Sequence, residues 1–367
     1  MDTSFTYNQQ DYTIARYPKT QQRSLRAWQA YQSFILEQNE VQNTDSVHVF
    51  NDRFGFWNCT LGHKQVTSIW NYASQKKAVE QNLISNGIEV SNQNFVQVLD
   101  PLPKPIELAL LCVPKSLDLF ELFLQQIHLH STKDTKVFCG FMTKHFSPKL
   151  LKLAENYFTV IEQSLTKQKS RFLILSEPKA LAREFKNKRC IDWKSGETPL
   201  QQYYGVFSAH KIDQGSQFLM DKLKLNFDEQ QILDLASGSG VFSLELLHQN
   251  PNIELTLIDD AVLAIESAKL NIQNKSAHFL CQDDFYSIEN ESFDLIVCNP
   301  PFHFEHENNI EVSLNLFRQA AKSLKPTGRM LIVANQHLNY KTQLKASFKT
   351  IKILAENKRF SLIEVRK

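Results

Sequence analysis

The sequence has no stretch approaching the roughly 18 consecutive apolar residues that a membrane-spanning helix needs. Its first residues, Met1-Asp2-Thr3, lack the basic-then-apolar order of a signal peptide. The six cysteines (Cys59, Cys112, Cys139, Cys190, Cys281 and Cys298) are scattered, with no C-x-x-C pair and no Cys/His cluster at zinc-ligand spacing. These absences argue against an anchored or exported protein, a disulfide framework and a structural metal, and for a place in the cytoplasm; a monomer is expected. Cys112, Cys139, Cys281 and Cys298 lie in or beside apolar runs and are expected as buried thiols. An excess of one charge is missing too, since 41 Lys+Arg stand against 39 Asp+Glu, a net of +2.

The ordinary shares of apolar (42%) and charged (22%) residues fit a packed protein, and 367 residues predict two domains. The near-neutral total hides an asymmetry. Residues 1–190 carry 23 Lys+Arg and 17 Asp+Glu, whereas residues 191–367 carry 18 and 22. A basic first half suggests contact with a polyanion.

The halves also resemble each other. Ile232-Leu-Asp-Leu-Ala-Ser-Gly-Ser-Gly240 is an apolar run entering a glycine-rich turn, and Val47-His-Val-Phe-Asn-Asp-Arg-Phe-Gly55 has the same outline. Leu255 to Asp259 has a counterpart in Val66 to Asn71, and Leu295 to Pro301 in Leu110 to Lys115. The matches keep their order at offsets of about 185 to 192, which indicates a duplication. Short β-rich runs alternating with helical ones predict an α/β fold in each copy, a parallel sheet with helices on both faces. The first copy is expected over 1–178, a basic linker containing Arg183, Lys186, Lys188 and Arg189 over 179–194, and the second copy over 195–367.

Only the second copy is equipped for chemistry. Where it has Ala236, Gly238 and Gly240, the first has Asn51, Arg53 and Gly55; Asn71 stands for Asp259, and Val113-Pro114 for Asn299-Pro300. A glycine turn after a strand brings backbone close to a ligand, and Asp259, some 20 residues on, is placed to accept from both hydroxyls of an adenosine ribose. A dinucleotide and S-adenosylmethionine both satisfy that pattern. Asn299-Pro300-Pro301-Phe302 after an apolar strand favours the second: the prolines stiffen the turn, the Asn and nearby carbonyls accept from a planar conjugated amine, and Phe302 offers a stacking face.

Ile232 to Phe302 resembles a class I S-adenosylmethionine-dependent methyltransferase. More narrowly, Asn-Pro-Pro-Phe-His303, Gly205-Val-Phe-Ser208 with Asp213-Gln-Gly-Ser-Gln217, and Ile332-Val-Ala-Asn335 resemble the ribosomal RNA guanine-N2 methyltransferases. Asn335 to Tyr340, Tyr17-Pro18, Leu25 to Trp28 and Asn51 to Gly55 place the similarity nearer the large-subunit (23S) branch than the small-subunit (16S) branch. The resemblance implies two tandem Rossmann-like methyltransferase domains, the first degenerate and used to position RNA. It implies that the loop Asp234, Ala236, Ser237, Gly238 and Gly240 cradles the methionine end of the cofactor and that Asp259, with Asp260 beside it, holds the ribose. Asp283 or Asp284 would meet the adenine amine, Asp284 being preferred because Phe285 follows it. Phe207 and Gly215 would flank the cofactor, and Asn299, Pro300, Pro301 and Phe302 would form the catalytic corner. Ala236 departs from the pattern by replacing the loop's first glycine.

Other readings stay open on the residues alone. The same corner would suit adenine N6 or a glutamine amide, a double pseudo-enzyme would bind RNA without cofactor, and a nicotinamide oxidoreductase would leave Asn299 to Phe302 without a role. His303 and His306 have no third ligand at suitable spacing, and Glu305, His306 and Glu307 are expected to form a rim over which the RNA enters.

Overall fold

Strands such as Leu295 to Cys298 are apolar at every position and fully buried on both faces, as the inner strands of a helix-covered sheet must be. The computed structural model describes residues 3–20, 25–103, 105–180, 185–193, 198–300, 303–304, 307–308, 310–336 and 340–367. The chain divides into two units, Met1–Asn187 and Lys188–Lys367.

The first unit holds a seven-stranded sheet of β1 (Ser46–Phe50), β2 (Gln65–Trp70), β3 (Asn94–Gln97), β4 (Ile106–Cys112), β5 (Ser131–Met142), β6 (Phe158–Gln163) and β7 (Ser170–Pro178). The second holds β8 (Gln231–Leu235), β9 (Glu254–Asp259), β10 (Ala277–Cys281), β11 (Phe293–Cys298), β12 (Leu324–Asn335), β13 (Thr350–Glu356) and β14 (Phe360–Arg366). Numbered within its own sheet, each runs 3-2-1-4-5-7-6, so the repeat in the sequence is a repeat of topology. The sheets are mixed where wholly parallel ones are expected, because β7 and β14 run antiparallel to both neighbours. In the second unit only residues 357–359 separate β13 from β14, too few for the crossover that parallel pairing demands.

Alternation along the strands of the second sheet builds two apolar layers. Ile232, Leu257, Leu295, Val297 and Val333 pack on one face; Leu233, Leu235, Ile296, Cys298 and Ile332 pack on the other. Cys112, Cys139 and Cys298 are buried as expected, whereas Cys281 is only half-buried.

Part of the expected linker is strand. Lys188–Ile191 pairs antiparallel with Leu200–Tyr203, and this hairpin is tied to the second unit where Tyr203 N–H donates to Ser267 Oγ at 3.0 Å. With Lys188 and Arg189 counted in the second unit, the first has 21 Lys+Arg and 17 Asp+Glu and the second 20 and 22, a milder split of +4 and −2.

Candidate active site

The loop after β8 needs left-handed backbone at three positions, Ala236 (φ +58°), Gly238 (φ +54°) and Gly240 (φ +81°). The two glycines serve different ends. A Cβ on Gly240 would lie 2.7 Å from Ile272 Cδ1, so this glycine lets the following helix pack, whereas a Cβ on Gly238 would meet nothing within 4 Å and would project into open space. Gly238 is therefore the bare backbone that a ligand can approach. Ala236 pays for its side chain: left-handed backbone costs a non-glycine residue about 1–2 kcal/mol, partly offset by the entropy alanine removes from the unfolded chain. Ala236→Gly is expected to raise stability by about 0.5–1 kcal/mol. An unchanged denaturation midpoint would show that the loop relaxes around the methyl group.

Around the loop lie Asp234 and Asp259, neither of which has a cationic partner among the described residues. Asp234 is fully buried; its Oδ2 accepts from Ser243 N–H (3.2 Å) and Oγ–H (2.8 Å), while its Oδ1 and the nearby Ser237 Oγ are buried without a hydrogen-bond partner among the described residues. Burial pushes the Asp234 carboxyl up to about 7 against its Ser243 bonds, with Asp259 adding to the rise. Asp259 accepts from Gly238 N–H at Oδ2 and from Ala261 N–H at Oδ1, both at 2.9 Å. Burial raises Asp259 to about 6 despite those two bonds. Each of its oxygens keeps a second lone pair, enough for two vicinal hydroxyls. Orphaned buried acceptors beside an open backbone fit a cationic ligand carrying a ribose, and S-adenosylmethionine is such a ligand.

On the neighbouring side, Asp260 follows β9, and Asp283 and Asp284 follow β10, all half-buried. Asp284 Oδ1 accepts from Tyr286 N–H at 3.1 Å, and its carbonyl from Gln282 Nε2 at 2.7 Å. Phe285 is packed into the core with Leu233, Ile258 and Ile296, so it offers no face to an adenine ring. The ground for preferring Asp284 over Asp283 falls with it. Phe207 is 71% exposed, so its ring is not packed in the core.

Asn299 sits at the carboxyl end of β11. Its Nδ2 donates to Asp213 Oδ2 at 3.2 Å and to Ser216 Oγ at 2.9 Å. An amide nitrogen has two hydrogens and both are taken, so the carboxamide is fixed with Oδ1 turned outward as an acceptor. Asp213 is itself held as the N-cap of the helix Gln214–Met220, where Oδ2 accepts from Gly215 N–H (2.8 Å) and Ser216 N–H (3.1 Å). A side chain at Gly215 would press within 2.9 Å of that carboxylate, which gives the glycine a packing reason. Pro300 is buried behind Asn299; Pro301, Phe302, Glu305 and His306 lie outside the described residues.

Asp213 and Ser216 hold the Asn299 side chain, although the sequence motif assigned them no role; the signal was an N-cap acid two residues before a glycine. Asp213→Ala is expected to lower the turnover number about 10- to 100-fold by loosening Asn299, with cofactor affinity unchanged. Asp213→Asn, which keeps an oxygen at the cap, should recover most of the rate. Equal turnover in the alanine variant would contradict the positioning role.

The first unit shows what loss of such a site looks like. In the strand registers Val47 stands for Ile232, so Asn51 (φ +56°) matches Ala236 and Gly55 (φ +71°) matches Gly240. The packing glycine is kept and the ligand-facing one is gone. Arg53 replaces Gly238, its guanidinium 4.6 Å from the Tyr72 ring and its Nη2 bonded to Ser74 Oγ at 2.6 Å. The registers shift two sequence pairings by one residue: Trp70, not Asn71, matches Asp259, and Cys112, not Val113, matches Asn299.

Of the basic stretch, Arg183 lies outside the described residues, and Lys186 in the first unit accepts from Gln125 Nε2 at its carbonyl. Lys188 Nζ lies 5.2 Å from the Tyr203 ring, and Arg189 lies 4.5 Å from Tyr204 while its Nη1 donates to Ala209 O at 3.1 Å.

Two family models match the chain: the RLMG N-terminal domain over residues 2–180 and the methyltransferase small domain over 197–364. The ribosomal RNA large subunit methyltransferase G of Klebsiella pneumoniae (strain 342) is 30% identical, over 97% of this chain and 96% of its own length. The chain belongs to the ribosomal RNA large subunit methyltransferase G family. Another large subunit methyltransferase G, that of Psychromonas ingrahamii, is 28% identical with both chains covered in full. The large subunit methyltransferase G layout extends to a solved fold: the T. thermophilus 16S rRNA N2 methyltransferase RsmC, in complex with AdoMet and guanosine, aligns over 100% of this chain and 97% of its own at TM-score 0.80 and 18% identity. Among the described residues no helix is long and apolar enough to cross a membrane, and no group of three His, Cys, Asp or Glu side chains is arranged to hold a metal.

Proposed function

We propose that this chain methylates the exocyclic N2 of a guanosine in 23S ribosomal RNA, that it acts as a monomer in the cytoplasm, and that S-adenosylmethionine is its methyl donor. The observation that carries this is the Asn299 side chain, whose two N–H groups are both spent on Asp213 and Ser216, leaving its oxygen as a fixed acceptor at the carboxyl edge of the sheet. The 23S assignment draws on the relatives that share nearly the whole length of the chain.

Guanine N2 is a poor nucleophile because its lone pair is delocalised into the ring. Asn299 Oδ1, together with a carbonyl of the proline corner, accepts the amine hydrogens and favours a pyramidal nitrogen whose lone pair faces away from the ring. Phe302 is assigned the stacking face for the base. The cofactor, when bound, supplies a methyl group already electrophilic on its sulfonium, so the protein contributes alignment more than acid–base chemistry. Asp234, Ala236, Ser237, Gly238 and Gly240 hold its methionine end, Asp259 and Asp260 its ribose, Asp283 or Asp284 its adenine, and Phe207 and Gly215 flank it. The proton that N2 gives up passes to water.

The first unit, without a ligand-facing glycine and with a surplus of cations, serves to bind RNA together with Arg183, Lys186, Lys188 and Arg189. Incubation with labelled S-adenosylmethionine and separately purified, undermodified 23S and 16S rRNA tests the assignment. Label is expected in 23S alone; label in 16S alone would move the chain to the small-subunit reaction, and no label with calorimetrically silent cofactor would make it a pseudo-enzyme.

A further inference from the structure

The sheet edge that carries Asn299 also carries a cationic turn for which the methyl-transfer chemistry has no use. β12 runs parallel to β11 with Ile332 beside Cys298, so Asn299 falls beside Val333 and β12 continues two residues further to Asn335. One strand across and two residues along places Asn335 on the order of 8 Å from Asn299. β14 begins opposite that point, with Phe360 paired to Asn335, and the pairing runs past the sheet where Gln336 N–H donates to Arg359 O at 3.0 Å. The turn is braced: Asn357 Oδ1 accepts from the N–H groups of Arg359 and Phe360, both at 2.8 Å, and Gln336 Nε2 donates to Asn357 O at 2.7 Å.

Asn335, Gln336, Lys358 and Arg359 line a cavity of about 470 Å³. Among the described residues the lining is two cations and two amides with no acid, which suits an anion, in a unit whose own net charge is −2. Arg359 is joined to the catalytic corner, since its Nη1 donates to Gln214 Oε1 at 2.7 Å and Gln214 directly follows Asp213, the residue that holds Asn299.

We propose that this cavity binds the phosphodiester backbone of the RNA strand beside the target guanosine. The inference rests on the RNA-methylating reading above and adds to it the place where the strand is gripped. Arg359 presents a planar fork to one phosphate, and Lys358 adds a point charge. A backbone held at this turn fixes the register in which a neighbouring base reaches Asn299 Oδ1, while the base itself is read elsewhere.

The test is the salt dependence of binding of undermodified 23S rRNA to the full chain, compared with the double variant Lys358→Gln/Arg359→Gln. The glutamine at 359 preserves a polar contact to Gln214, and a control pair, Lys349→Gln/Lys352→Gln, removes the same charge from the other hairpin strand and its start. The cavity variant is expected to bind about tenfold more weakly near physiological salt, with the slope of log affinity against log salt lower by about 1.4. Its thermal midpoint and S-adenosylmethionine affinity should match those of the unaltered chain. An unchanged slope, or an equal loss in the control pair, overturns the proposal. Binding of RNA by the unaltered chain without methyl transfer would sink the functional reading alone, and failure to bind RNA would sink both.

Discussion

Asn299→Ala is expected to lower methyl transfer to ribosomal RNA by about three orders of magnitude, a loss comparable to removing one preorganised polar partner from a developing charge. The variant should bind S-adenosylmethionine within about twofold of the unaltered chain, because among the described residues the Asn299 side chain bonds to no residue of the cofactor loop. Its contacts run the other way, into Asp213 and Ser216. The cost falls on the transition state: without Oδ1, only the carbonyl assigned at the proline corner is left to hold the amine hydrogens as the nitrogen pyramidalises. Single-turnover measurement with saturating cofactor and RNA separates this from a binding defect. Asn299→Asp makes the distinction sharper, since it keeps the acceptor but turns a donor toward the Asp213 carboxylate into a repelling charge, and should be impaired almost as severely.

The second large effect is on cofactor affinity. Asp259→Ala would remove the two charge-assisted hydrogen bonds that we assign to the ribose, each about 1.5–3 kcal/mol, so affinity should fall by at least about 100-fold. It also frees the N–H groups of Gly238 and Ala261, which shape the loop. The same carboxylate makes affinity depend on pH. In the folded, unliganded chain burial holds Asp259 up at about 6 and Asp234 at about 7, above the ordinary 3.8. Groups shifted upward favour the protonated folded state; their contribution to stability is full below about pH 4 and is lost as pH rises through 6 and 7. A cationic ligand selects the ionised forms. Affinity for S-adenosylmethionine is therefore expected to climb between about pH 5 and 7.5 and then level off, with protons released on binding at the lower end. Calorimetry in buffers of different ionisation enthalpy measures that release; flat affinity across the range would mean that neither carboxylate faces the cation.

Much of the fold was legible because burial on both faces writes a strand as an unbroken apolar run, as in Leu295 to Cys298, and because the two halves repeat those runs in one order. The antiparallel ends of the sheets were not legible: Thr350 to Glu356 and Phe360 to Arg366 read as strands, but direction comes from the length of the turn between them. Pairings such as Asp259 with Asn71 slipped by one residue because similarity of residue type does not count hydrogen bonds along a ladder. The loop and Asn299 announced themselves through glycine and proline. Asp213 did not, since its partner lies 86 positions away and only folding brings the two together. Nor did the sequence show that Ala236 sits in left-handed backbone or that Phe285 belongs to the core.

The central claim is that the corner at Asn299 presents a guanine amine for methylation. The most direct measurement is nucleoside mass spectrometry on 23S rRNA that the purified chain has methylated in vitro. N2-methylguanosine at a single site is the result this account predicts; N6-methyladenosine, a ribose methyl, or unmodified RNA beside demonstrable cofactor binding would contradict it.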